Sequence, residues 1–149
     1  MNKSDEALNT FTTGGFNCAQ SVFSTFCEQL GLDKETALKI ACSFGGGMGH
    51  TGQTCGAVTG AFMLIGLKKG QFKADDKESK EKTYALVEEF AAKFKALHGS
   101  ISCKDLLGYD MSIPEEFEKV KESGLTKIKC PQYIQSSIKL IEDILLQEL

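Results

Sequence analysis

Arginine is missing altogether, so 17 lysines carry all the positive side-chain charge against 20 acidic residues. Without a guanidinium fork there is no bidentate grip on phosphate or on a guanine edge. The lysines alternate with Glu and Asp along helical stretches such as 77–88, the pattern of solvated helix faces and not of a basic stripe. Nucleic-acid binding is therefore excluded as a reading. The chain also has no long apolar run. The longest, residues 56–67, falls short of the ~20 residues that a membrane-spanning helix needs, so no membrane insertion is expected. The opening MNKSDEALNT is polar and lacks the apolar centre of a secretory signal, which makes the cytoplasm the expected compartment.

Several cysteine signatures are absent as well. No CxxC pair occurs, which excludes a thioredoxin-type motif, and no CxxCH occurs, so no haem is expected. The separations Cys18–Cys55, Cys55–Cys103 and Cys103–Cys130 match no zinc finger. Residues 47–54 carry the glycine framework of a phosphate-binding loop, but Gln53 stands where that loop requires Lys, and the segment follows a helical pattern instead of a strand. No nucleotide is expected. No segment alternates as a strand would, and no internal repeat is evident.

What remains is an ordinary globular composition over 149 residues, 42% apolar and 25% charged. The length suits one compact all-α domain of about seven helices. Helical spacing and capping residues predict a first helix over 4–12, stopped by Gly14 and Gly15, and a second from the N-cap Asn17 to Leu30. Asp33 caps a third, ending near Phe44. Cys55 opens an apolar helix in which Gly56, Gly60 and Ala61 would let another backbone approach closely. Asp75 caps a long helix ending at His98 before Gly99, with a stripe of Tyr84, Val87, Phe90, Ala91, Phe94 and Leu97 facing inward. A short helix follows Cys103. The run Ser112-Ile113-Pro114-Glu115 reads as a capping box, and Cys130-Pro131 reads as the start of the last helix, whose Ile134, Ile138, Ile141 and Leu145 face the core.

Six cysteines are many for a reducing compartment and point to metal binding or redox work. Cys18, Cys55, Cys103 and Cys130 each fall at or beside a predicted helix start. There, unpaired N–H groups and the positive end of the macrodipole favour a thiolate, the form that exchanges disulfides and binds soft metals. Cys27, beside Phe26, and Cys42, in a last helical turn, read as packing residues. Gly47, Gly49 and Gly56 offer bare backbone N–H groups to an anionic or sulfur-rich centre beside Cys55, while a tight interhelical turn explains the same glycines equally well. His98 is a candidate to support a ligated cysteine by hydrogen bonding, and His50 reads as a solvent-exposed loop residue.

NCAQSVF around Cys18, FGGGMG followed by CGAVTGA around Cys55, HGSISCKDLLGYD around Cys103, and the late Cys130 together resemble the C_GCAxxG_C_C family. That family comprises proteins of about this length, marked by four cysteines, proposed to be redox-active and often encoded beside transporter genes. The resemblance spans nearly the whole chain, and its four cysteines fall on Cys18, Cys55, Cys103 and Cys130. It implies a redox role with an unidentified redox partner. The four cysteines would act as a dithiol/disulfide couple or as ligands of an iron–sulfur cluster or other thiophilic metal. The alternative is a non-enzymatic module that binds a soft metal or a partner protein.

Overall fold

The computed structural model describes residues 1–145 and is all-α. Among the described residues there are eight α-helices, where about seven were expected. Gly45–Met48, though turned like a helix, is not one, because Gly46 and Gly47 have φ of 66° and 70°. The helices are α1 (Lys3–Thr12), α2 (Cys18–Phe26), α3 (Lys34–Cys42), α4 (Gly56–Lys69), α5 (Lys77–His98), α6 (Cys103–Leu107), α7 (Pro114–Ser123) and α8 (Leu125–Ile144). Capping side chains set most of the starts. Asn17 and Gln20 cap α2 reciprocally: each side-chain oxygen accepts from the other residue's backbone N–H at 2.9 Å. The carboxylate of Asp33 accepts from Thr36 at the start of α3, and these bonds hold its pKa below the usual carboxylate value.

Four expectations need correction. The second helix ends at Phe26, and a 3-10 turn (Glu28–Leu30) continues the path to Gly31, whose φ of 91° only glycine adopts cheaply. The cap of α5 is Asp76, not Asp75. Ser112 does not cap α7: its N–H and hydroxyl both bond Asp110 Oδ1, at 2.9 and 2.6 Å, and Ile113 stands at the cap with no side-chain bond. The last helix starts at Leu125, directly after Gly124, and takes Pro131 into its interior. Proline is tolerated there at the loss of one i→i−4 bond, the one that would have reached the Lys127 carbonyl. Cys130 is consequently not at a helix start.

The central element is α4. Every residue from Gly56 to Ala61 is buried, as are Leu64 and Ile65, so this helix is apolar on all sides and packs among α2, α5 and α8. Its glycines do what the sequence suggested. A Cβ at Gly56 would lie 2.9 Å from the Ala19 nitrogen and one at Gly60 2.8 Å from the Ala19 carbonyl, so side chains there would push α4 off α2. The Ser137 hydroxyl of α8 donates to the Ala57 carbonyl at 2.8 Å, a fully buried bond that pins α8 to the first turn of α4. Ile134, Ile138, Ile141 and Leu145 all face the core, and so do Phe90 and Phe94 of α5. Tyr84 and Leu97 do not: they are 54% and 62% exposed. No helix among the described residues is long and apolar enough to cross a membrane.

Candidate functional site

Cys18, Cys55, Cys103 and Cys130, far apart in sequence, line one cavity of about 480 Å³. Each arrives by a different local device. Cys18 is the first residue of α2, oriented by the Asn17–Gln20 cap. Cys55 and Cys103 come in together. Thr54 and Ser102 form an isolated antiparallel bridge, and the flanking bonds run from Cys55 N to the Ile101 carbonyl (2.8 Å) and from Cys103 N to the Gln53 carbonyl (2.6 Å). One helix leaves the bridge from each side, α4 after Cys55 and α6 from Cys103. Cys130 reaches the cavity from the second turn of α8. All six cysteines are free thiols.

The thiols do not titrate as helix-start placement predicts. Burial pushes Cys55 up to about 12, against a smaller opposing pull from the N–H groups of Ala57 and Val58. Burial likewise raises Cys103 to about 12, aided by negative charge at Cys130 and Asp110. Their own N–H groups are spent on the bridge. Cys18 is raised by its hydrogen bond with Cys130, then by burial and by the potential of the other three sulfurs. Cys130 alone is lowered, because the Cys18 thiol donates to it, an effect that exceeds the opposing burial. Cys18 and Cys130 therefore behave as a pair that gives up one proton early and holds the second tightly. A cluster of buried, mutually repelling sulfurs outweighs the helix dipole, which acts only over the first turn.

Glycine makes the cavity wall possible. Gly47 has φ of 70°, and a Cβ there would come within 2.6 Å of the Cys103 Cβ and 2.8 Å of the Gln53 nitrogen. A Cβ at Gly56 would lie 3.2 Å from the Cys18 Cβ. Gly47 and Gly56 both line the cavity, whereas Gly49 does not; its own Cβ would meet only the Ser43 carbonyl, at 3.4 Å. Residues 46–50 all have positive φ, including the non-glycines Met48 (71°) and His50 (63°), so the loop stores backbone strain beside the thiols.

His98 is not on the cavity wall. Its Nε2 pairs with Ser136 Oγ at 2.8 Å and its ring packs edge-to-face with Tyr133 and tilted against Phe94, an environment whose burial lowers its pKa. His50 is exposed, as expected of a loop histidine, yet it borders the cavity with its ring 4.8 Å from that of Phe117. Cys27 is buried in the core, but Cys42 is exposed and packs against nothing central, contrary to its reading as a packing residue.

Sequence reasoning missed Tyr133. It lines the cavity, its hydroxyl donates to the Leu106 carbonyl at 3.0 Å, and its pKa is raised by burial and then by Cys130, Cys55 and Cys103. The signal was available: Tyr133 lies three residues after Cys130, on the same face of α8.

The chain matches, over residues 16–144, the family described as "Putative redox-active protein (C_GCAxxG_C_C)". It belongs to that family. No curated protein and no solved structure matches it. As for metals, no group of three or more His, Cys, Asp or Glu side chains among the described residues is placed to hold an ion.

Proposed function

We propose that the chain is a thiol–disulfide redox protein whose working couple is Cys18 and Cys130. The observation that carries this reading is the hydrogen bond between the Cys18 and Cys130 thiols on the wall of the cavity, which raises one pKa and lowers the other. Thiol–disulfide exchange needs one sulfur ionised to attack and a second, protonated until needed, to resolve the mixed disulfide. Cys130, held below the ordinary thiol value, fits the first role, and Cys18, held above it, fits the second. Cys55 and Cys103, protonated to about 12, set the polarity of the wall and stay out of the exchange. In a reducing cytoplasm the couple would rest as the dithiol.

A centre built on all four thiols is the competing reading, favoured by their convergence on one cavity. Four thiolates are the donor type of an iron–sulfur cluster or thiophilic ion, but among the described residues no three of them are placed to hold one ion between them.

The test is oxidation of the reduced protein with diamide, followed by non-reducing peptide mapping. A single Cys18–Cys130 disulfide, reversed by dithiothreitol and abolished by Cys18→Ser or Cys130→Ser but not by Cys27→Ala, is expected. An intramolecular bond joining any other pair, or none, would sink the couple. Visible absorption with stoichiometric iron in anaerobically purified protein would replace it with the four-thiol centre.

A further inference from the structure

The substrate class can be read from the wall around the couple, an inference that rests on the thiol–disulfide reading above. The cavity's volume of about 480 Å³ lies within the range typical of small-molecule clefts. It is far larger than attack on a peroxide would require. The wall is mostly apolar, built in part by Phe16, Met111 and Phe117, and this desolvates whatever enters. Its charge is one-sided: Lys121 and Lys127 border the cavity, and no Asp or Glu among the described residues does. Asp110, whose charge helps raise Cys103, is outside the wall, with its Oδ1 engaged by Ser112.

The two lysines flank the turn at Gly124, Lys121 from the last turn of α7 and Lys127 from the first turn of α8. Both are exposed, and Lys121 lies with its Nζ 5.5 Å from the centre of the Phe117 ring. The start of α8 has no side-chain cap, so the helix end adds positive potential on the same side.

We propose that the cavity takes a small organic disulfide bearing carboxylates, with Lys121 and Lys127 holding the carboxylates while the disulfide reaches Cys130. The Cys130 thiolate attacks one substrate sulfur. The substrate S–S bond breaks, and the first half leaves as a thiolate with the bonding pair and takes up a proton. Cys18 then loses its proton and attacks the Cys130 sulfur of the mixed disulfide, expelling the second half, which is protonated in turn. One substrate disulfide is reduced to two thiols, and two protein thiols are oxidised to one disulfide.

The test uses the full reduced chain and three disulfides of similar size: 3,3′-dithiodipropionate (anionic), 2-hydroxyethyl disulfide (neutral) and cystamine (cationic). Each rate of protein oxidation is divided by the rate of the same disulfide with β-mercaptoethanol thiolate, which removes intrinsic leaving-group differences. The normalised rate should be about tenfold higher for the anionic than for the neutral disulfide, equivalent to ~1.4 kcal/mol, and lowest for cystamine. In about 1 M salt, where the Debye length is ~3 Å, the anionic-to-neutral ratio should fall towards one. It should do the same in Lys121→Gln/Lys127→Gln.

Equal or reversed normalised rates, with the Cys18–Cys130 disulfide forming in each case, would overturn this substrate class and leave the redox couple standing. So would failure of all three disulfides where diamide succeeds. Failure of diamide itself would instead remove the couple, and the substrate assignment with it.

Discussion

Replacing Gly47 with alanine separates two costs that glycine avoids. The first is conformational: φ of 70° is left-handed, and an L side chain there costs about 1–2 kcal/mol. The second is steric. The new methyl would sit 2.6 Å from the Cys103 Cβ, 2.8 Å from the Gln53 nitrogen and 2.9 Å from the Gly52 carbonyl carbon, and the last two are backbone that cannot swing aside. Overpacking of that kind costs about 1–3 kcal/mol more. Gly49 supplies the control, since its φ is 72° but its nearest prospective neighbour, the Ser43 carbonyl, is 3.4 Å away. Gly49→Ala should therefore cost about 1–2 kcal/mol and Gly47→Ala about 2–5 kcal/mol in total. Urea unfolding resolves the difference, because a slope of ~1–3 kcal/mol per molar converts it into a midpoint gap near 1 M. Relief of the clash should also loosen the bridge carrying Cys103, so Cys103 alkylation should accelerate in Gly47→Ala alone. Equal midpoints for the two variants would refute the argument that Gly47 exists to admit Cys103.

Three further outcomes follow from burial and helix geometry. Cys55 and Cys103 stay protonated in the fold to about 12 but ionise in the unfolded chain near ~8.5, so the unfolded state binds fewer protons between these values and stability falls as pH rises. Each thiol contributes a slope of up to ~1.4 kcal/mol per pH unit, and Cys55→Ser should show a shallower decline than wild type between about pH 9 and 11; identical slopes count against its burial. Pro131→Ala restores the missing bond to the Lys127 carbonyl and should raise stability by about 1–3 kcal/mol in urea, whereas a loss would mean that the proline ring packs to advantage. Iodoacetamide mapping of the native protein should label the exposed Cys42 and spare Cys27 until unfolding, and equal labelling would contradict the buried placement of Cys27.

The elements legible in the sequence were those fixed by local chemistry. Asn17, Asp33 and Gly99 set helix ends through bonds or backbone angles within a few residues, and the structure keeps them. Pro131 misled because its local signal, a helix start, is overridden by Gly124 seven positions earlier, where one left-handed residue closes α7 and opens α8. The same slip put Cys130 at a helix start. The helix-dipole argument for depressed thiols failed for a non-local reason: it counted one helix end per sulfur, while the fold buries the sulfurs and sets them against one another. Exposure of Cys42 and Leu97 was equally beyond reach, since it depends on which helices cover that side of α3 and α5. Convergence of Cys18, Cys55, Cys103 and Cys130 depends on which helices meet, and periodicity carries no information about that.

The bridge between Thr54 and Ser102 has a consequence for how the chain can change in length. Thr54 and Ser102 are held in register by two backbone bonds, one from the N–H of Cys55 to Ile101 and one from that of Cys103 to Gln53, so deleting or adding a single residue beside either cysteine would slide one segment past the other and turn its side chain to the opposite face. The exposed connection between α4 and α5 is under no such constraint, and insertions there leave the register untouched. Variation in length should thus collect between the cysteine-bearing segments and stay out of them. A loop graft or affinity tag placed near residue 72 would be accommodated, whereas one residue inserted at 53 or 102 would disassemble the cavity.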